Sequence, residues 1–486
     1  MRLTAGAAAT TAPALPAAIR LRATLSDAAL RGARLALYAG IVLSPFRARF
    51  TLESHPLGPV FTDYRDSLLF WSEICVLVVL GLWLVSLLLQ PRRLDFGPAL
   101  VRAPALLVLA LVWLSVPFSV DAGVSLYSAV VVSGFAILVL YVLNEVRDLR
   151  ELVPALVLMV LVQAVVGVGQ LLTQKSLGLQ FLGEFDLRPE YGGTSVVWPD
   201  GHDRLLRAYS LTDHPNILGG TVAFASLLLL AVLPKVRRWL RPFLIAVFAA
   251  GVLVIFASFS RSAALALATG AAVSLLLLLL RRDRRSAGLW VVACLVALIA
   301  VAPFLWHYRA YVEARSNPTA PASGSVEERS IAERGVLFGR TRGVIADNPW
   351  LGVGISGLPT EMYARYPDSH YDLAPAHVVL LTVAAETGVA GAVAYGALVL
   401  APMVLLWRRR DRLTPELIGA TGVLVAVHVV GLFDYYTWTL VPGRFWFWLA
   451  LAAWLVAYRR ATTEPPVAVA SSSTLSAGGR PPVAGE

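Results

Sequence analysis

Charge is scarce in this chain. Only 15% of its 486 residues are Asp, Glu, Lys or Arg, while 57% are hydrophobic, which excludes a single soluble globular domain of that length. Cysteine is scarcer still. Cys75 and Cys294 are the two present and both fall inside apolar runs, so no disulfide framework supports the fold. Lysine is nearly missing: of 41 basic residues only Lys175 and Lys235 are not arginine. A biased base composition accounts for most of that preference. Guanidinium is nevertheless the group that grips phosphate bidentately and never loses its charge. Segments of about ten alternating residues are absent, which excludes an outer-membrane barrel. Absent too are a nucleotide-phosphate glycine loop, a nucleophile elbow and a zinc helix.

What is there is a succession of apolar runs, each near the length that crosses a hydrocarbon layer of roughly 30 Å. They predict an all-α polytopic membrane protein of about twelve transmembrane helices, at 29–45, 68–89, 99–120, 124–143, 152–172, 217–233, 242–259, 263–280, 289–305, 376–406, 418–433 and 445–457. With this count every strongly basic junction (91–93, 145–150, 235–241, 281–285, 408–412 and 459–460) falls on one side, together with both termini. By the positive-inside rule that side is cytoplasmic. The net charge of +10 is then topology charge and not a nucleic-acid footprint.

The organisation that follows is a cytoplasmic tail over 1–28, nine helices over 29–306, one large extracytoplasmic loop over 307–375, three helices over 376–458 and a tail over 459–486. The first tail lacks the compact apolar core of a cleaved signal peptide. The last is rich in Pro, Ser, Ala and Gly and reads as disordered.

The loops at 46–67, 174–216, 260–262, 307–375 and 434–444 face outward and hold the residues with chemistry to offer. Arg261 stands at the tip of a hairpin, Phe259-Ser-Arg-Ser262, too short to need a charge and on the side where arginine is disfavoured. An ionisable group at a membrane boundary is a functional candidate by default, against the alternative of an arginine snorkelling to headgroups. In the long loop, Ser325 and Glu328 have capping-box spacing and predict a helix running toward Ala346. On it Arg334, Phe338, Thr341 and Ile345 share one face, which leaves Arg329 and Arg340 solvated or salt-bridged.

His377, at the outer end of the tenth run, is the histidine best placed to accept a proton from a bound hydroxyl. His55, His202, His214, His307 and His370 read as loop surface, and His428 as a satisfied residue within a span. Glu386 lies on the opposite helical face from His377 and reads as a structural contact, with Gly388 and Gly391 allowing close helix packing. Asp63 and Asp66 have the spacing of a metal-binding pair, but with Arg65 between them they read as a helix start. Asp200, His202 and Asp203 match no recognisable ion site, so no metal and no cofactor is expected.

Several ordered fragments together resemble the superfamily of O-antigen ligases and O-antigen polymerases, membrane glycosyltransferases of the GT-C type. They are Arg207 through Pro215-Asn216 to Gly219, Ser260-Arg261-Ser262, Glu333-Arg334-Gly-Val-Leu-Phe338, Ile345 through Asn348-Pro-Trp-Leu-Gly-Val-Gly354, and Ala376-His377 through Glu386-Thr-Gly388 to Gly391. Phe433 through Thr439, with Gly443-Arg444, is similar to a last outer loop of some members. Val378 departs from the pattern, since Asn often follows the histidine there.

The resemblance implies a multi-pass enzyme of the bacterial inner (plasma) membrane. Such an enzyme takes a glycan from an undecaprenyl-pyrophosphate carrier and passes it to an acceptor hydroxyl on a glycan or lipid, by inversion and without metal. Membrane lipids are its other partners; nucleic acid is not one. Arg261 and Arg334 would neutralise the departing pyrophosphate and His377 would orient or deprotonate the acceptor. Arg207, Asn216 and Arg340 would contact pyrophosphate or glycan. The rival readings are a transporter or flippase for a lipid-linked sugar, marked by internal repeats and discontinuous helices, and a metal-dependent oligosaccharyltransferase built on Asp63 and Asp66.

Overall fold

The structure, a computed structural model, describes residues 17–58, 60–199, 201–316 and 324–463, apart from the side chains of 324–330. The expected tails before residue 17 and after 463, together with Asp200, therefore lie outside the described residues, as do the side chains of the Ser325–Glu328 capping box.

Helix α1 (Ala17–Leu43) leads into a short antiparallel ribbon, β1 (Arg49–Glu53) with β2 (Ser67–Phe70). Then come α2 (Trp71–Leu89), α3 (Ala99–Ser115), α4 (Ala122–Glu145) and α5 (Val153–Thr173). A second small ribbon, β3 (Val196–Val197) with β4 (Leu205–Leu206), precedes α6 (Pro215–Val232), α7 (Arg241–Ala257), α8 (Arg261–Leu280) and α9 (Arg284–His307). The segment before the next long helix carries α10 (Arg309–Ser316), α11 (Gly324–Asp347) and α12 (Leu358–Arg365). The chain ends with α13 (Val379–Arg408), α14 (Pro415–Phe433), the single turn α15 (Tyr436–Thr439) and α16 (Val441–Thr463).

The protein is an all-α polytopic membrane protein. Among the described residues, 11 helices are long and apolar enough to cross a membrane, one fewer than expected. The missing one is α1, in which Asp27, Arg31 and Arg34 interrupt the apolar run. It already includes residues 17–28, part of the segment expected as a tail, and packs antiparallel to α2. Ser26 Oγ meets Ser86 Oγ at 2.8 Å near one end, and Gly40 lies against Cys75 near the other.

Two helices form the axis. The membrane-crossing window of α6 is 94% buried and that of α16 is 100% buried, as expected of helices apolar all round. Outer helices such as α3 bury only 22% of theirs and turn Val101, Val108 and Val112 inward. The basic junctions sit together at one end of the bundle. Arg92 pairs there with Glu145 and Lys235 with Glu416, while Arg150 and Arg460 share Asp148.

At the other end α13 is broken. Gly388 has φ 76° and ψ 173° in mid-helix, a left-handed conformation only glycine adopts freely. A Cβ there would come within 2.0 Å of the Trp350 carbonyl oxygen. The turn Pro349–Gly354 fills the break: Val389 N donates to Pro349 O at 2.8 Å, while Val353 N and Gly354 N donate to the Ala385 and Glu386 carbonyls at 2.9 and 3.0 Å. The backbone groups freed by the break are satisfied by protein, as a membrane helix requires. Gly388 thus receives a loop and does not serve helix packing, and the nearest atoms to Gly391 belong to Thr387 of its own helix. A small apolar cluster of Val344, Val353, Leu358, Met362 and Ala385 seats α11 and α12 on this first part of α13.

Candidate active site

The hairpin between α7 and α8 is where the site begins. Its tip needs Phe259 at φ 49°, a strained conformation for a bulky residue. Two arginines from elsewhere fasten it. Arg207 Nε donates to Ser258 O at 2.8 Å, and Arg315 Nε, from α10, donates to Phe259 O at 3.3 Å. Ser260 Oγ then caps α8, which makes Arg261 its first residue. A cation at a helix N-terminus opposes the helix dipole. The same arrangement suits an anion, which both the arginine and the free amides attract.

Arg261, Arg315 and Arg334 line a cavity of about 260 Å³ together with Asn216, Ser262, Leu265 and Phe433. Arg261 Nη1 donates to Arg315 O at 3.2 Å. Arg334 arrives from α11, whose buried face is Leu337, Thr341 and Val344. Phe338, expected on that face, is 42% exposed. The Arg334 Nε is buried and has no hydrogen-bond partner among the described residues. Of the expected site residues, Arg261, Arg334 and Asn216 therefore meet at one cavity, and Arg315 joins them unforeseen.

Arg207 and His377 stand just behind. Arg207 is buried and donates to Ser195 Oγ and Asn216 Oδ1, each at 2.7 Å, so it orients Asn216 and does not line the cavity. Asn216 Nδ2 passes the connection on to Asp434 Oδ2 at 2.8 Å. His377 precedes α13 by two residues instead of standing within it. Its ring meets Tyr435 edge to face at 4.9 Å, and its Nδ1 is buried without a partner among the described residues. Burial holds the His377 imidazole below the usual histidine range, Asp434 opposes that shift and Arg334 adds to it. Tyr435 in turn shares a 2.5 Å hydrogen bond with the Tyr64 hydroxyl.

Other expectations change. Arg340 lies over the Tyr366 ring at 4.2 Å and donates to Ser369 Oγ at 2.7 Å, away from the cavity. Six residues along α11, about 1.7 turns, separate it from Arg334 and turn it to another face. His214, read as loop surface, caps α6 by accepting from Asn216 N through Nδ1 at 3.1 Å. Burial together with Arg207, Arg315, His377 and Arg334 holds it well below the usual range. The dipeptide His214-Pro215, with proline at the first helical position, was the signal available for it. His428 was read as satisfied, yet its Nδ1 is buried without a partner among the described residues. Asp63 is paired to Arg49 at 2.5 Å, whereas Asp66 accepts from His55 N at 2.9 Å and Ser54 Oγ at 3.1 Å. Separate partners hold the two carboxylates.

A family model described as O-antigen ligase matches residues 244–396. Over these residues the chain is similar to the O-antigen ligase family. The matched region runs from α7 through the first part of α13 and contains Arg261, Arg315, Arg334 and His377. Arg207, Asn216 and Asp434 lie outside it and are brought to it by the fold. The chain is thus an O-antigen ligase-like membrane enzyme. No curated protein matches the chain.

Proposed function

We propose that this enzyme moves a glycan from an undecaprenyl-pyrophosphate carrier to an acceptor hydroxyl at the outer face of a bacterial inner membrane, with inversion and without a metal. The observation that carries the reading is the set of three guanidinium groups, from Arg261, Arg315 and Arg334, around one cavity at the end of the bundle that holds His377. The first turns of α6 and α8 bring Asn216 and Arg261 to that cavity. Each guanidinium within about 4 Å of a phosphate contributes on the order of 4 kcal/mol at an effective dielectric near 20, and pre-placed cations need no reorganisation as charge develops.

In the step itself the acceptor oxygen forms a bond to the anomeric carbon while the bond from that carbon to the pyrophosphate oxygen breaks. The acceptor proton passes to His377, and the arginines hold the charge that leaves with the pyrophosphate. Neutral at working pH, His377 is in the protonation state a base requires. Ligase and polymerase share this chemistry and differ in the acceptor.

The rivals lack comparable support. The break in α13, which a transporter would place around a substrate, is filled by the Pro349–Gly354 turn. Asp63 and Asp66 are committed to separate protein partners. The test uses the full chain in liposomes with an undecaprenyl-pyrophosphate-linked glycan and its acceptor. One undecaprenyl pyrophosphate released per glycosidic bond, at a rate unchanged by EDTA, supports the proposal. Movement of the intact lipid-linked glycan across the bilayer without bond formation, or a rate abolished by EDTA and restored by manganese, overturns it.

A further inference from the structure

A second cavity lies beyond Tyr64 and Tyr435, and its lining has the opposite character. It measures about 40 Å³, and Asp63, Asp66, Asp213 and Glu386 contribute carboxyl groups to it against the single guanidinium of Arg444. Hydroxyls of Tyr64, Tyr127, Ser128, Ser356 and Thr439 complete the polar lining. Asp63 and Asp213 are clamped on Arg49 and Asp66 on the His55 backbone, so those three are largely spoken for. Glu386 is different. It is fully buried; its Oε2 accepts from Trp438 Nε1 at 2.8 Å and the Ser356 backbone N–H also lies against the carboxyl, yet Oε1 has no well-formed hydrogen bond among the described residues. A buried carboxyl oxygen left open at a cavity wall is costly unless something donates to it.

We infer that this cavity is a subsite for the acceptor, receiving the hydroxyl-bearing edge of a neutral sugar that donates to Glu386. The inference rests on the transferase reading and adds the acceptor side to it. Volume fits the role. About 40 Å³ accommodates roughly three water-sized groups, enough for the hydroxyls along one edge of a sugar ring and too little for the ring. Charge fits as well. A pyrophosphate is drawn to the three guanidinium groups of the arginine cavity, whereas here the one lining guanidinium, Arg444, stands among carboxyl and hydroxyl groups, and a sugar hydroxyl, donor and acceptor at once, pairs with both. Position is the third argument. Tyr64 lines this cavity, is bonded to Tyr435, and Tyr435 abuts His377, while Asn216 and Arg334 line the other. The histidine therefore stands between a place for a neutral polyol and a place for a pyrophosphate, which sorts two substrates of different charge before they meet.

The experiment is saturation-transfer NMR on the detergent-solubilised full chain, with the methyl pyranosides of glucose, galactose and mannose as probes and inorganic pyrophosphate as competitor. At least one glycoside should receive saturation from the wild-type protein. Thr439→Val and Glu386→Gln should each weaken it about three- to tenfold, the effect of one or two hydrogen bonds. Arg261→Ala should leave it within about twofold, and pyrophosphate should not displace it. Thr439→Val preserves shape, so it keeps the test valid if Glu386→Gln does not fold. No saturation of any glycoside, wild-type binding in both the Thr439→Val and Glu386→Gln variants, or displacement by pyrophosphate overturns the subsite. Pyrophosphate binding lost in Arg261→Ala with glycoside binding absent throughout leaves the transferase reading standing and removes only this inference. A wild-type chain that binds neither removes both.

Discussion

Asn216 Nδ2 donates to Asp434 Oδ2 at 2.8 Å, a single hydrogen bond that ties the start of α6 to the residue ending α14. Asn216 faces the arginine cavity, and Asp434 supplies the negative field felt by His377. Arg207 orders this bond from behind, through Asn216 Oδ1. Three segments distant in sequence thereby place the cations and the imidazole relative to one another.

Arg207 is accordingly expected to act through Asn216. Arg207→Ala and Asn216→Ala should each lower kcat about ten- to hundredfold in the liposome assay, and the double variant should fall little further than either single one, since residues in one network are non-additive. Donor KM should rise less than kcat falls. Additive losses, or a loss confined to donor KM, would place Arg207 on the donor itself.

Arg334 brings to the cavity a buried Nε with no hydrogen-bond partner among the described residues. Arg334→Ala should lower kcat about 10²- to 10³-fold, the range for removing one charge-stabilising donor. Arg334→Lys should recover only part of that, because an ammonium cannot reproduce the planar fork. Full activity in either variant, measured at matched protein level, contradicts the assignment.

The pH dependence follows from the environment of His377. Burial lowers its pKa from the usual 6.5, and a base must be neutral, so the acid limb of kcat/KM should lie below pH 6.5. Asp434 raises that pKa and Arg334 lowers it. Asp434→Asn should therefore move the limb to still lower pH, and Arg334→Ala should move it up. Residual activity suffices to read both profiles, and shifts of the opposite sign would remove His377 as the titrating base.

How much of this was readable in advance depends on range. The membrane-crossing runs are local properties of composition, and all but α1 satisfy both length and hydropathy. That exception arises because Asp27, Arg31 and Arg34 stand on the exposed side of α1 while Ala29, Ala33 and Leu37 face the bundle, a split between faces that an averaged hydropathy hides. Arg261, Arg334 and Asn216 could be picked out because each is a polar residue at the edge of an apolar run or on an amphipathic helix. Arg315 could not, since an arginine in a long polar segment has no local mark. The break at Gly388 was hidden for the same reason: glycines three apart in an apolar run also suit helix packing, and only the distant Pro349–Gly354 turn gives Gly388 its task.

That task makes Gly388 sensitive. Gly388→Ala would put a methyl within 2.0 Å of the Trp350 carbonyl oxygen at a positive φ, at a cost of at least about 1–3 kcal/mol in backbone strain alone. The full chain should melt at lower temperature. Trp350→Ala should not rescue it, because the obstructing atom is backbone. An unchanged melting temperature would mean that the turn does not seat in the helix.

The central claim is that a cationic cavity and His377 together transfer a glycan off its lipid carrier. Its most direct test is the glycan profile of cells carrying His377→Ala or Arg261→Ala, with protein level and lipid-linked donor measured in the same samples. At normal protein level, finished glycan should disappear in both strains while the lipid-linked donor accumulates. Wild-type amounts of finished glycan in either strain, or its loss without donor accumulation, would contradict the account.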